Sequence, residues 1–402
     1  MEIRINILSN LPDLFDFAAY FLETLMIYLD NAATSFPKPA PVGERMFAYI
    51  TQVGATINRS VYGPAREAGL VTLRLRERLC RLLGFHGRPT HAILTPGCTM
   101  GLNLVLQGWL QPGDHCIVSA MEHNAVMRPL VQMGVDFDRI PCDATGLWNP
   151  EDIIPLIRPN TRLLVMAHGS NVSGAVQDAE AVGQICKRYG IPFVLDAAQT
   201  AGHVPVDFER FGCSALAVPG HKGLLGPSGI GAVILAPEFA KALQPLVTGG
   251  TGSASHTELQ PSFLPDKFES GTPNLPGIYG WEAGLQWLEE QGISNLRDHE
   301  LRLMQMFIEG IQRIPDIKLH GPTDLEKRVG VFSLDFVNQD NAMVGDRLEQ
   351  EFGILTRCGL HCAPNAHRTL GTYPQGTVRF SLGWSTTEEE IRQALHAIDA
   401  CR

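Results

Sequence analysis

The chain has 402 residues, and its 45% hydrophobic and 18% charged content predicts a soluble globular protein with two domains. Its formal net charge is −10 and no run of basic residues occurs, so nucleic acid and anionic membrane surfaces are poor candidates for partners. Nine cysteines are scattered along the chain without paired spacing, which favours free thiols in a reducing compartment and predicts a cytoplasmic protein.

Residues 1–26 form an apolar and aromatic extension that Asp13, Asp16 and Glu23 interrupt. The segment is too short and too acidic to span a bilayer, and it lacks an obvious secretory cleavage site. It is either an additional helix or an extension upstream of a shorter start at Met26, and we assign it no function.

Short apolar runs alternate with helical patterns from residue 27 to residue 289, which predicts an α/β domain with a mainly parallel sheet covered on both faces. The predicted strands are 91–95, 115–119, 162–167, 191–196, 215–218 and 231–235. Leucines on one face predict a helix over 67–83 that ends at Gly84, and a second helix opens near Thr99 and runs to about Trp109.

Residues 290–402 predict a smaller α+β domain, which the first residues after 26 are candidates to join. A helix over 296–314 precedes predicted strands at 317–320, 329–336, 354–356 and 377–381. The terminal helix is expected to begin at Ser385-Thr-Thr-Glu388, which matches the Ser/Thr-x-x-Glu capping box.

Polar residues follow several of the predicted strands, where ligands of open α/β sheets bind. The turn Thr95-Pro-Gly-Cys-Thr99 leads into a helix, and a helix N-terminus suits a phosphate group. His123, Asn171 and Asp196 each follow a later strand, although a turn or helix cap would also explain each of them singly.

Lys222 follows another apolar strand and lies beside His221 and several glycines. A lysine at such a position is expected to be desolvated, which lowers its pKa and makes it able to form an imine with an aldehyde. Pyridoxal 5′-phosphate (PLP) needs a phosphate-binding site, a carboxylate, a lysine of this kind and a flat histidine ring, and the sequence offers all four.

The stretch RCGLHCAPNAH (357–367) contains Cys358, His361, Cys362 and His367 within a few residues. Four such side chains could form a structural zinc site. The stretch could instead hold one reactive thiol that a neighbouring arginine or histidine favours as thiolate, or it could be a loop that happens to contain two cysteines.

The ordered set of motifs resembles the class V branch of fold-type I PLP enzymes, and within it the cysteine desulfurases of the SUF type. The resemblance runs from Ile27 to the C-terminus and implies a PLP-binding domain with a seven-stranded type of sheet, next to a smaller domain. The matching stretches are IYLDNAATS (27–35), MEHNAVMRP (121–129), HGSNVSGA (168–175), LDAAQTAGH (195–203), GHKGLLGPSGIG (220–231), GGTGS (249–253), FESGTPNLPG (268–277) and RCGLHCAP (357–364).

The resemblance implies a role for each matching residue, and we state these roles as expectations. Lys222 would bind PLP covalently, Cys362 would be the nucleophile and no metal is expected. At the PLP ring, the resemblance implies Asp196 at the pyridine nitrogen, Gln199 at the phenolic oxygen, and His123 stacked on the ring as a candidate proton shuttle. The residues implied at the phosphate are Gly97, Cys98, Thr99 and His221. Thr251 would contribute to the phosphate site from the second subunit of a homodimer. Asn171 and Arg379 would bind the substrate carboxylate, with Arg357 nearby, and Arg357 and His361 would flank the thiol.

The implied reaction converts L-cysteine to alanine with a persulfide on Cys362, which a sulfur-acceptor protein or small thiol would receive. Pro219 and Met100 depart from the pattern of many relatives, which carry a hydroxyl residue and a glutamate there, and the loops after Lys222 and Cys362 differ by one residue. These departures keep three alternatives open: a selenocysteine lyase or cysteine sulfinate desulfinase, a class V aminotransferase acting on another amino acid, and a PLP-binding sulfur sensor without turnover.

Overall fold

The computed structural model describes residues 26–58 and 60–402, so almost all of the N-terminal extension lies outside the described residues. Within these ranges, no helix is both long enough and apolar enough to cross a membrane.

Two larger sheets and one strand pair organise this part of the chain. The strands are β1 (Ile27–Tyr28), β2 (Ala92–Thr95), β3 (His115–Ser119), β4 (Asp136–Ile140), β5 (Thr161–Ala167), β6 (Phe193–Asp196), β7 (Ala215–Pro219), β8 (Gly231–Leu235), β9 (Ile317–His320), β10 (Val331–Phe336), β11 (Ile354–Leu355), β12 (Arg357–Gly359) and β13 (Thr377–Ser381).

The helices pack around these sheets. They are α1 (Ala40–Ala48), α2 (Gly63–Leu82), α3 (Cys98–Trp109), α4 (Asn124–Met133), α5 (Ala179–Tyr189), α6 (Pro237–Ala242), α7 (Leu275–Gln291), α8 (Ile293–Ile311), α9 (Asn341–Phe352), α10 (Pro364–Leu370) and α11 (Glu388–Cys401).

The seven-stranded sheet has the order β2-β8-β7-β6-β5-β3-β4. Strands β3 to β7 pair in parallel, whereas β8 runs antiparallel to both of its neighbours. This confirms the predicted α/β class and mainly parallel sheet. The sequence analysis missed the edge strand β4, because DFDRI carries polar side chains at an exposed edge and lacks an apolar run.

Both faces of this sheet are buried, because successive residues of a strand point to opposite faces. Ile117, Leu164 and Leu195 belong to the core on one face. Val118 and Val165 belong to the core on the other face, under α3 and α4. With helices on both sides, the only open positions for polar groups of these strands are at their ends.

The second sheet is antiparallel, with the order β12-β13-β10-β9, and α8 and α11 cover it. The short β1 pairs in parallel with β11, which connects the beginning of the described chain to this later region. The sequence analysis missed β12, which pairs with β13 and leads directly into the stretch that carries Cys362.

The predicted cap of the last helix was wrong by two residues. Thr387 is the N-cap, and its side chain and that of Glu390 form the reciprocal capping box. The residues before it are held in a turn, because the amide of Gly383 donates to Thr386 Oγ1 and the Thr386 amide donates back to Gly383. The helix therefore begins after this turn rather than at Ser385.

Glu300 on α8 links the two regions that carry the large sheets. Its carboxylate accepts hydrogen bonds from His203 Nδ1 (3.1 Å), Arg297 Nη1 (2.9 Å) and the amide of Gly330 (3.1 Å). Burial alone would raise the pKa of Glu300, but His203 and Arg297 hold it below its usual range. The buried carboxylate is therefore charged and fully bonded.

Candidate active site

A cavity of about 620 Å³ lies beyond the carboxyl ends of β5, β6 and β7, where α3 begins. It brings together most of the site residues that the sequence predicted, although they are far apart in the chain. The predicted residues that line it are Gly97, Cys98, Thr99, His123, Asn171, Asp196, Gln199, His221, Lys222, Arg357 and Arg379.

Lys222 stands in the turn after β7. Its backbone oxygen accepts from Ser35 Oγ (3.0 Å) and from the amide of Leu225 (2.9 Å), which fixes the turn. Its ammonium nitrogen has no hydrogen-bond partner among residues 26–58 and 60–402. Burial lowers the pKa of Lys222, while Asp196 opposes that shift. A larger fraction of this amine is therefore neutral, at a given pH, than in a solvent-exposed lysine.

Asp196 ends β6 and faces the cavity. One of its carboxylate oxygens, Oδ1, accepts from the amide of Ala198 (2.9 Å) and from the thiol of Cys98 (3.6 Å). Burial, reinforced by the charge of Asp196, raises the pKa of the Cys98 thiol well above its usual range, so this cysteine stays protonated. The second oxygen of Asp196 remains available for a positively charged group.

The N-terminus of α3 forms the floor of the cavity. Intrahelical bonding begins at the amide of Met100, which donates to Gly97 O (3.1 Å), and this leaves the amides of Cys98 and Thr99 free to bind an anion. His221 Nδ1 lies nearby in the cavity wall and is buried without a partner. Burial and the neighbouring lysines lower the pKa of His221 to about 4, so its ring is neutral.

His123 is the N-cap of α4, and this role fixes its tautomer. Its Nδ1 accepts from the amide of Ala125 (3.0 Å), so the ring proton must lie on Nε2. Burial lowers the pKa of His123. The ring is therefore a neutral, oriented plane with one nitrogen available for proton exchange. Gln199 is positioned by its side-chain amide, which donates to Ala32 O (3.1 Å).

Arg379 lies in β13 and is completely buried. Its guanidinium donates to Asp30 Oδ1 (2.6 Å) and to the backbone oxygen of Asn171 (3.2 Å), whereas Nε has no partner. The sequence analysis missed Asp30 as a site residue. It lies in the quoted IYLDNAATS stretch, but only the tertiary structure shows that it balances the charge of Arg379.

The thiol of Cys362 is exposed at the mouth of the cavity rather than inside it. Cys362 and His361 both have positive φ angles (60° and 47°), a backbone conformation that is unfavourable for side chains larger than glycine. Two hydrogen bonds hold this turn: Asn171 Nδ2 donates to His361 O (2.6 Å), and the Asn124 amide donates to Cys362 O (2.8 Å).

Arg357 and His361 differ in their relation to this thiol. Arg357 Nη2 lies 3.5 Å from Cys362 Sγ, within the distance of a hydrogen bond to sulfur. The expectation for His361 is wrong, because its ring is buried, bonds to Thr377 Oγ1 (3.2 Å) and packs against His367. Burial and the nearby Arg379 hold the pKa of His361 far below its usual range, so it brings no charge.

Thr251 does not line this cavity. It lies in a separate cavity of about 420 Å³, and its hydroxyl contacts Ser253 Oγ (3.0 Å). The predicted contribution of Thr251 to phosphate binding is thus not made within one chain. In the described ranges, no group of three or more potential ligands is arranged to hold a metal ion.

Comparison with known proteins identifies the class. The sequence pattern of the class-V aminotransferases matches residues 27–394, and the chain belongs to this family. A probable cysteine desulfurase of Methanothermobacter thermautotrophicus is 31% identical over 374 residues, which cover 91% of this chain and 92% of that protein. A cysteine desulfurase of Cronobacter sakazakii is 30% identical over 377 residues, 91% of each chain.

Solved structures agree with these relatives. The apo structure of a cysteine desulfurase from Thermococcus onnurineus NA1 has a TM-score of 0.86 and 30% identity, over 93% of this chain and 94% of that one. A cysteine desulfurase of Escherichia coli has a TM-score of 0.82 and 28% identity, over 94% of each chain. The fold-type I architecture predicted from the sequence is thereby confirmed.

The class-V aminotransferases depend on PLP, and the cavity fits this cofactor. Asp196 has an unused carboxylate oxygen for the pyridine nitrogen, and Lys222 has a free amine for the aldehyde. The buried, unpartnered Nδ1 of His221 and the free amides at the start of α3 suit the phosphate. Pro219 lines the cavity but offers no donor, so the phosphate contacts must come from these other groups.

Proposed function

We propose that this chain is a PLP-dependent cysteine desulfurase, which converts L-cysteine to L-alanine and collects the sulfur as a persulfide on Cys362. The observation that carries the proposal is the exposed Cys362 thiol, 3.5 Å from the Arg357 guanidinium, at the mouth of the cavity that holds Lys222. The names of its relatives support the same activity.

The cavity supplies groups for each part of the substrate. Arg379, which has an unpartnered Nε, and the side chain of Asn171 would bind the α-carboxylate. Bound PLP supplies an electron sink that makes the α-proton of the amino acid acidic. Lys222 would take up that proton, because its lowered pKa leaves an amine able to act as base. Asp196 would keep the ring nitrogen protonated.

Cys362 would perform the sulfur transfer. Its thiolate attacks the substrate sulfur, the new S–S bond forms, and the bond between that sulfur and the substrate β-carbon breaks. The electron pair of the broken bond stays on the three-carbon fragment, which takes up protons and leaves as alanine. His123 would pass a proton through Nε2, the nitrogen that its N-cap bond leaves free.

We also propose the assembly and location of the protein. Thr251 lies outside the Lys222 cavity of its own chain, so it would complete the phosphate site of a second copy. The active form would then be a homodimer. Residues 27–289 would form the larger domain and 290–402 the smaller one, with β1 joined to the smaller through β11. All nine cysteines are free thiols, which supports a cytoplasmic location.

The test is to mix PLP-loaded protein with L-cysteine, to assay alanine, and to search the Cys362 peptide for an added sulfur by mass spectrometry. We expect both products, and Cys362→Ala should abolish both. Cys358→Ala is the matched control, since this half-buried thiol donates to Asn341 O and should be dispensable.

Other outcomes would select among the alternatives. Alanine from cysteine sulfinate or selenocysteine alone, without need of Cys362, would favour the lyase or desulfinase. Consumption of an amino acid only with a keto-acid partner would favour an aminotransferase. A bound PLP spectrum without turnover of any sulfur amino acid would leave only a sensor, and each of these results would overturn the desulfurase proposal.

A further inference from the structure

A second groove adjoins the PLP cavity, with which it shares Thr99 and His123, and Cys362 is one of the residues that line it. It has a volume of about 790 Å³, and residues along the length of α4 form one of its walls. Helix α4 has 10 residues, so the groove extends for about 15 Å. An extended peptide covers that length with about four or five residues, whereas a small thiol bound at Cys362 would leave most of it empty.

The charged groups of the groove have one sign. Arg128 on α4 and Arg139 on β4 line it, and both are exposed. With the Asn365 amide turned so that its oxygen faces Arg139, that oxygen accepts from Arg139 Nε (3.0 Å) and Nη2 (3.1 Å). Neither arginine forms a salt bridge with any residue that the structure describes. This cationic groove stands out on a chain whose formal net charge is −10.

The acidic residue that lines the groove, Glu122, does not offset these charges. Its side chain is almost completely buried, where Oε1 accepts from the Ala167 amide (2.9 Å) and from Ser119 Oγ (2.5 Å). Burial raises the pKa of Glu122 to about 8, so the carboxyl is mostly neutral at physiological pH. His123 at the inner end of the groove is also neutral.

We propose that this groove receives an extended, acidic, thiol-bearing segment of a sulfur-acceptor protein, which Arg128 and Arg139 orient toward Cys362. This inference rests on the proposed desulfurase function. The acceptor thiolate attacks the outer sulfur of the Cys362 persulfide and forms a new S–S bond. The bond to Cys362 Sγ breaks, and its electron pair leaves on Cys362 as a thiolate beside Arg357, so the acceptor carries the persulfide away.

The experiment uses persulfidated holoenzyme, freed from substrate, and three probes. Two are seven-residue peptides with a central cysteine and either four glutamates or four glutamines, and the third is mercaptosuccinate, a small acidic thiol. We expect sulfur to move about tenfold faster to the glutamate peptide than to the glutamine peptide at low salt, and this preference to shrink toward twofold in 0.5 M salt.

Charge reversal tests the two arginines directly. Arg128→Glu and Arg139→Glu should each remove most of the preference for the glutamate peptide while the glutamine peptide still reacts, which also shows that the protein is folded. Arg313→Glu is the matched control, since Arg313 is exposed and lies outside the groove, and it should keep the preference.

The outcomes separate this inference from the proposed function. Equal rates for the two peptides, with a normal Cys362 persulfide, would overturn the groove and leave the desulfurase intact. If mercaptosuccinate reacts as fast as the glutamate peptide, the acceptor is a small acidic thiol and the proposed protein segment is refuted. If no persulfide forms, anisotropy of a labelled glutamate peptide with serine in place of cysteine still tests docking, and binding by the two reversal variants equal to that of the native chain would refute it.

Discussion

Glu122 offers the most direct test of the electrostatics of this site. Its buried carboxyl has a pKa of about 8 in the folded chain against 4.5 as its usual value. Between these two pH values the folded state holds a proton that the unfolded state has released, so folding stability must fall as pH rises. The loss from this one group is about 1.4 kcal/mol per pH unit, or about 3 kcal/mol at pH 7 and about 1 kcal/mol at pH 5.

The substitution Glu122→Gln removes the titration but keeps an oxygen to accept from Ser119 and Ala167. The variant should therefore gain stability relative to the native chain as pH rises, by about 2.5 kcal/mol between pH 5 and pH 7. For a chain of 402 residues the unfolding entropy is about 0.8 kcal/mol/K, so the thermal midpoint should shift by about 3 °C more at pH 7 than at pH 5.

The assay is differential scanning fluorimetry of both proteins from pH 5 to pH 8. Glu349→Gln is the control, because Glu349 is exposed on α9 and its side chain has no hydrogen-bond or salt-bridge partner among the described residues. A pH-independent difference for Glu122→Gln would refute the reasoning, since it would mean that this carboxyl is ionised in the folded protein. The cationic groove would then lose part of its support.

Three further substitutions test the framework of the site. Asp30→Asn leaves the buried Arg379 without its carboxylate and should lower stability by about 3 kcal/mol, seen as a thermal midpoint about 4 °C lower. Glu300→Gln should lower the free energy of unfolding by about 2 kcal/mol at pH 7 and by less below pH 4. A carboxylate with a lowered pKa stabilises the fold fully above its usual pKa, and this stabilisation is lost as pH falls through the folded-state pKa. Gly231→Ala places a methyl group 2.7 Å from the Gly97 backbone, so the dissociation constant of PLP, read by absorbance, should rise about tenfold.

Matched controls exist for each of these. Asp346→Asn and Glu349→Gln change exposed carboxyls without partners among the described residues, and neither should alter the thermal midpoint by more than about 1 °C. Gly69→Ala adds a methyl group in open space within a helix and should leave PLP affinity unchanged. A midpoint for Asp30→Asn equal to that of Asp346→Asn would contradict the pairing of Asp30 with Arg379, and a pH-independent loss for Glu300→Gln would contradict a charged Glu300. Unchanged PLP affinity in Gly231→Ala would show that the backbone at the start of α3 can shift to make room for the methyl group without weakening PLP binding.

The sequence determined the architecture because its strands are short apolar runs buried on both faces, and such runs can be recognised locally. It also determined the candidate residues at the strand ends. Asp196 and Lys222 directly follow apolar runs, and burying a charged group there costs free energy unless a partner or ligand compensates it. Local reading failed at β4, whose polar side chains lie at an exposed edge of the sheet, and at the last helix, where three matches to the capping box overlap.

Only the tertiary structure decided which groups act on one another. It paired Arg379 with Asp30 across the chain, separated Thr251 from the cavity of its own subunit, and turned the ring of His361 away from the thiol of the residue that follows it. It also made Glu122 neutral by burying it. Distances between residues far apart in sequence, and the water that burial removes, are set by packing, and no local pattern of residues carries that information.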